Sequence, residues 1–122
     1  MPDRPPAALL TPATCAATLK VKSREGGSVG TLHAFMVHKR SGRATHAVLG
    51  LGGLLGMGKS FYPVPIQLLT YDRALDQYVA SVDAKVLEGG PNWTSTAPEF
   101  DQAYADRVAS YYGAEKYELE LG

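Results

Sequence analysis

Two prolines directly behind a glycine-rich octet remove a whole class of folds. Residues Gly53 to Ser60 read GLLGMGKS and satisfy the phosphate-loop pattern G-x-x-x-x-G-K-[ST] at every position. That chemistry needs a helix to begin at the Lys-Ser end, so that its free N–H groups and dipole hold the anion. Here Phe61-Tyr62-Pro63-Val64-Pro65 follows instead. Pro63 and Pro65 forbid the helix, because each lacks an amide donor and pushes its predecessor into extended backbone. No βαβ context surrounds the octet, no apolar strand ending in Asp follows to hold a magnesium ion, and 122 residues are few for a doubly wound nucleotide fold. The octet therefore reads as a hydrophobic hairpin loop. Its Leu54, Leu55 and Met57, with Leu51 before it, are too apolar to be left in water, and such a patch covers a core or meets another subunit.

The rest of the chain carries strand periodicity. Thr18–Ser23 alternates Leu19 and Val21 against Lys20 and Lys22, and Glu25-Gly26-Gly27 then turns. In Ser28–Val37, Val29, Thr31, His33, Phe35 and Val37 share one face and Leu32, Ala34 and Met36 the other; both faces are largely apolar, which predicts contact with two layers. His38 to Gly42 makes a tight loop with Gly42 left-handed, and Ala44–Leu51 returns as the second arm of a hairpin. Ser60–Pro65 is extended and, with two prolines, belongs at an edge. Ile66–Leu69 allows one helical turn, Tyr71-Asp72-Arg73 turns again, Gln77–Val82 is a further strand, and Glu88–Asn92 is a Gly-Gly-Pro loop. Thr96 and Glu99 form a capping box for a helix spanning about residues 97–112, with Pro98 in its first turn, Gly113 ending it, and Phe100, Ala103, Tyr104, Val108 and Tyr111 as its apolar stripe. Tyr117–Leu121 is a candidate last strand. Residues 1–16, rich in Pro, Ala and Thr without a period, read as a flexible arm; Pro12 and the threonines interrupt any signal-sequence core within Ala7–Leu19. These elements predict a mainly β protein: a small barrel or rolled sheet of about five to six strands with a helix packed on it, residues 89–122 being the extension that carries the helix.

Composition narrows function by exclusion. Twelve Lys and Arg balance twelve Asp and Glu, which removes the basic surplus a nucleic-acid binder uses against phosphates and leaves little attraction to anionic lipid. The charge is uneven: residues 1–98 hold 10 basic and 6 acidic groups, residues 99–122 hold 2 and 6. The acidic end is thus placed to fold back on the basic body or to meet a neighbour's, or simply to solvate a helix face. A single cysteine, Cys15, excludes an internal disulfide and suits a reducing cytoplasm. No stretch approaches the roughly 20 apolar residues of a membrane-spanning helix.

No catalytic, cofactor or metal residue can be assigned. If Ser28–Val37 and Ala44–Leu51 pair, His33 and His46 become candidates for cross-strand neighbours, but no Cys or acidic pair is placed to complete a tetrahedral site. The serines lie in turns and loops without a nucleophile elbow. The candidate interaction surface is Leu54, Leu55, Met57 and Phe61 of the loop region with Tyr104, Tyr111 and Tyr112 of the helix, since tyrosine buries a large area with few rotors.

An ordered run of blocks resembles the PRC-barrel domain, named for the cytoplasmic part of the photosynthetic reaction centre H subunit, with a related barrel in the ribosome maturation factor RimM. The blocks are Val29 to Leu32, Lys39 to Arg43, Ala47 to Leu49, Gly52 to Gly58 and Phe61 to Pro65, continued by Leu69 to Asp72 and Tyr78-Val79, covering about residues 17–88. The helix ending in Tyr111-Tyr112-Gly113 is similar to the extension of stand-alone bacterial members. His38 stands where that family often has Asp, Ile66 where it often has Trp, and Lys59-Ser60 where Glu-Lys is usual; the last change completes the false nucleotide motif. The resemblance implies a non-catalytic, cofactor-free barrel that serves as a platform for protein–protein contact or assembly; together with the apolar loop, the tyrosine-rich helix and the zero net charge it leads to the expectation of a cytoplasmic homo-oligomer. Two alternatives stand beside it: a small-ligand or anion-binding module using Gly52–Ser60, and a ribosome- or RNA-linked assembly factor.

Overall fold

The computed structural model describes residues 8–52 and 59–120, with the backbone alone for 15–18. Six strands form one curled, half-barrel sheet. They are β1 (Leu10–Lys22), β2 (Ser28–His38), β3 (Ala44–Leu51), β4 (Ser60–Pro65), β5 (Leu69–Asp72) and β6 (Gln77–Ala80). Their order across the sheet is β4-β3-β2-β1-β6-β5. Every pairing is antiparallel except β1 with β6, which meet in parallel at Val21↔Tyr78 and Lys22↔Val79. A 3-10 turn, Ile66–Leu68, joins β4 to β5, and two helices follow, α1 (Ala84–Glu88) and α2 (Gln102–Tyr112). The fold is mainly β with a C-terminal helix, as the periodicity predicts.

The prolines place β4. Pro63 and Pro65 pair with Val48 and His46 at the outer edge of the sheet, where no further strand needs their missing amides. Buried β3 divides the core by simple alternation. Ala47 and Leu49 enter one cluster with Val21, Leu32, Leu51, Val64, Ala80 and Leu87. Val48 enters a second, with Leu10, Ala34, Met36, Phe100, Ala105 and Leu119. The sheet therefore carries apolar layers on both faces, and α2 packs beside β4.

Four sequence expectations change. First, Leu32 does not share a face with Ala34 and Met36. Leu32 pairs with Leu49 and Ala34 with Val48, so β2 gains a residue at His33. This bulge rotates the strand by one position, sending Leu32 to one cluster and Ala34 and Met36 to the other. It also leaves His46 opposite Met36, so His33 and His46 are not cross-strand neighbours.

Second, residues 10–16, expected within a flexible arm, belong to a strand: β1 begins at Leu10, and residues 10–14 pair with 34–38 of β2. Pro12 is tolerated because β6 reaches β1 only at Val21 and Lys22, leaving this half of the strand with β2 as its single partner. Leu10 is buried against Phe100, and the amides of Leu9 and Leu10 donate to the Phe100 carbonyl.

Third, the long helix starts at Gln102 and not near residue 97. Asp101 caps it, its Oδ1 accepting from the Tyr104 amide at 2.9 Å. The Thr96/Glu99 box goes unused because Phe100 is drawn into the second cluster while its carbonyl serves β1. The buried stripe consequently turns to Ala105, Val108 and Ala109, with Ala103 exposed. Gly113 ends the helix at φ 63°, in the left-handed region. Fourth, the residues after it, through Glu120, form an irregular segment and no strand.

Candidate interaction surface

The octet joins two antiparallel strands. Leu51 pairs with Ser60, and Ser60 opens β4 where a phosphate loop would open a helix. Gly52, at φ 76°, turns the chain out of β3. Leu54, Leu55 and Met57 lie outside the described residues. On the near side, the Lys59 stem lies against Gly50, where an added Cβ would stand 2.7 Å from Lys59 Cε.

Phe61 is half-buried and engaged within the fold. Its backbone exchanges two hydrogen bonds with Trp93, at 2.8 and 3.0 Å. Its ring stands 6.0 Å from Trp93 and 4.6 Å from His33. Trp93 continues to Phe100 at 6.2 Å, and Phe100 to Tyr104 at 4.8 Å. This aromatic chain lies on the side of the second cluster, and Trp93, the lone tryptophan, ties the extension to the barrel. A bridge across 32 positions leaves no periodic signal, so local patterns cannot reveal it.

The helix tyrosines divide. Tyr104 and Tyr112 are half-buried, and each hydroxyl is buried without a hydrogen-bond partner. Burial raises both phenols above their ordinary range; Arg107 partly opposes this at Tyr104, and Tyr111, Tyr62 and Tyr104 add to it at Tyr112. Tyr112 packs on the first cluster, with its hydroxyl where a Cβ on Gly90 would lie only 2.7 Å away. Tyr111 is 41% exposed and donates to the Val86 carbonyl of α1, beside a second exposed apolar residue. Of the seven residues singled out from sequence, Tyr111 is the described one that faces solvent most openly.

Among the described residues, the most exposed large apolar one is a residue that periodicity missed. Leu75, 64% exposed, tops the turn between β5 and β6, with Tyr71 at 47% on the adjoining strand. That turn is built rather than loose. Asp72 Oδ1 accepts from the amides of Ala74 and Leu75, and the Tyr71 hydroxyl donates to Asp76 Oδ1 at 2.6 Å. This bond, followed by desolvation and the nearby carboxylates, raises the Tyr71 phenol. Asp76 takes the left-handed conformation at φ 49°, as Asp tolerates in turns. The Asp72-to-Asp76 spacing was the available signal.

Two depressions flank the second cluster. An open cleft of about 450 Å³ is lined by His38, Arg43, Thr45, Gln67 and the segment Glu115–Leu119. A smaller apolar groove of about 250 Å³ lies among Leu10, His33, Met36, Trp93 and Pro98. Beside the cleft, His38 Nε2 donates to the Leu119 carbonyl at 2.8 Å, and its Nδ1 accepts from the Ser41 amide at 3.2 Å. Both ring nitrogens are thereby occupied in holding the C-terminal segment to the β2–β3 turn. Among the described residues, no three of His, Cys, Asp and Glu gather as a metal site, and no helix is long and apolar enough to cross a membrane. The chain matches no family model, and no curated protein is similar to it.

Proposed function

We propose that this chain is a PRC-barrel-like module that works by protein–protein contact without catalysing a reaction, and that its first partner is a second copy of itself. The observation that carries this reading is where exposed apolar side chains sit: Tyr71 and Leu75 on a hydrogen-bonded turn, and Val86 and Tyr111 where the Tyr111 hydroxyl donates to the Val86 carbonyl. Rigid, solvent-facing apolar groups on a chain of zero net charge favour association. A hairpin at Leu51–Ser60, in place of a strand-to-helix turn, supports leaving nucleotide chemistry out of the reading. The single cysteine fits work in a reducing cytoplasm.

Light scattering at micromolar concentration tests self-association. The expected result is a dimer or larger species that Leu75→Asp or Leu55→Asp dissociates. A strict monomer whose mass neither substitution changes removes the self-association, and a thermal shift with millimolar nucleotide or phosphate would redirect the reading to a ligand module.

A further inference from the structure

We infer that residues 114–120, after α2, form a strap whose docking on the barrel is pH-sensitive and is governed by His46 beneath it. His46 on β3 is fully buried. Its Nδ1 lies 2.7 Å from Thr45 Oγ1, while Nε2 has no hydrogen-bond partner. Two rings cover it, Phe100 at 5.6 Å and Tyr117 of the strap at 5.4 Å. A neutral imidazole fits this site, with one nitrogen bonded to Thr45 and the other bare. An imidazolium does not, because it must carry an N–H at both nitrogens and the Nε2 side offers no acceptor.

The groups around His46 offer no compensating charge. Across the sheet, Met36 of β2 and Pro65 of β4 pair with it. Phe100 faces it from before α2, and Tyr117 from the strap. The Tyr117 phenol is itself raised, by burial first, with Arg43 lowering and Glu115 raising it. His38 is the second titratable group against the strap, through Leu119. Charged Glu99, Lys116 and Glu118, next in sequence to these contacts, are exposed.

Of the two covers, the strap is the one that can withdraw. Phe100 is fixed by backbone bonds from Leu9 and Leu10 and by ring contacts with Trp93 and Tyr104. From Tyr117 to Glu120 the strap is held through side chains. Gln102 bonds the Tyr117 carbonyl and the Leu119 amide, His38 bonds the Leu119 carbonyl, and the Tyr117 hydroxyl donates to Gln67. Lifting Tyr117 exposes His46 and opens the cleft that the strap walls. Docked, burial holds the imidazole near 4 against an ordinary value of 6.5, so at pH 5 strap docking weakens by up to about 30-fold.

Native-state amide exchange on the ¹⁵N-labelled full chain, corrected for intrinsic rates, tests this at pH 7 and pH 5. The expected result is that the Leu119 amide, which opens with the strap, is less protected than that of Leu49 in central β3 at both pH values and loses protection about 20-fold between them. His46→Leu, which cannot titrate, abolishes this loss. His38→Gln, which retains a donor for the Leu119 carbonyl, preserves it. Leu119 protection equal to that of Leu49, persistence of the loss in His46→Leu, or its disappearance in His38→Gln overturns the inference. Should His46→Leu fail to fold, the imidazole titration of His46 in the unmodified chain decides: a midpoint well below 6.5, with Leu119 protection falling as pH drops from 6.5 toward it, supports the strap, and a midpoint near 6.5 refutes it.

Discussion

Gly30 and Gly50 lie close to one another on β2 and β3, yet alanine at the two positions has very different consequences. Gly30 sits at φ 145°, a conformation that L-residues rarely adopt, and a Cβ there would fall 2.2 Å from the Gly50 carbonyl oxygen and 3.2 Å from Leu51 Cδ1. The obstacle is backbone, so it cannot rotate away; β2 and β3 must separate by about 1 Å, which strains their ladder as well as the residue itself. Dihedral strain of about 1–3 kcal/mol plus the disturbed ladder gives a destabilisation of about 3–4 kcal/mol for Gly30→Ala. Gly50 has no such dihedral penalty, and its added Cβ meets only Lys59 Cε, the far end of a flexible side chain, at 2.7 Å. Gly50→Ala is expected to change stability by less than about 1 kcal/mol. Urea unfolding followed by circular dichroism, with equal slopes assumed only after they are measured, reads both values. A Gly30→Ala cost below about 1 kcal/mol, or equal costs for both variants, would refute the close approach of these two strands.

Three further outcomes are expected. Asp101→Ala lowers stability by about 1 kcal/mol while Thr96→Ala changes little, because Asp101 and not Thr96 caps α2; thermal unfolding compares the pair. Gly90→Ala is destabilising because its Cβ meets the Tyr112 hydroxyl, and adding Tyr112→Phe recovers part of the loss; an additive double mutant in the same melts denies the contact. His46 makes stability acid-sensitive. Its folded value lies below the unfolded one, so its full contribution is present above pH 6.5 and is lost as pH falls toward 4, amounting to about 2 kcal/mol between pH 7 and pH 5. Denaturant titrations at both pH values should show that difference shrink in His46→Leu.

Local rules read well where one residue type decides the backbone. Pro63 and Pro65 forced an edge strand, Gly113 a left-handed helix end, and Gly42 a tight hairpin turn, and each is where its chemistry required. Reading failed where a distant partner decided. The composition of residues 10–14 resembles a solvated leader, but Leu10 finds a pocket made by Phe100, Ala34 and Met36. Thr96 and Asp101 both offer helix caps, and the choice between them rests on burial of Phe100, which no local pattern contains. The bulge at His33 inverts a face assignment that strict alternation made for Ala34 and Met36. Similarly, tyrosines 104 and 112 satisfy the composition of an interface yet serve the interior, whereas Leu75 gains its exposure from a turn wired by Asp72 and Asp76.

The parallel meeting of β1 and β6 has a mechanical consequence. The β5–β6 hairpin attaches to the rest of the sheet through two residue pairs, Val21↔Tyr78 and Lys22↔Val79. Beside the seam the Arg24 amide bonds the Val82 carbonyl and the Ala84 amide bonds Glu25, Val21 and Ala80 share the first cluster, and the largely solvent-exposed Arg24–Asp83 ion pair contributes little. Closing this seam joins segments 57 positions apart (|21−78|), whereas each neighbouring hairpin closes over a short turn. The seam is thus the last part of the sheet to zip and the first to yield under load. A chain stretched between its ends should release the hairpin as a separate early step, with the β1-to-β4 portion giving way at higher force.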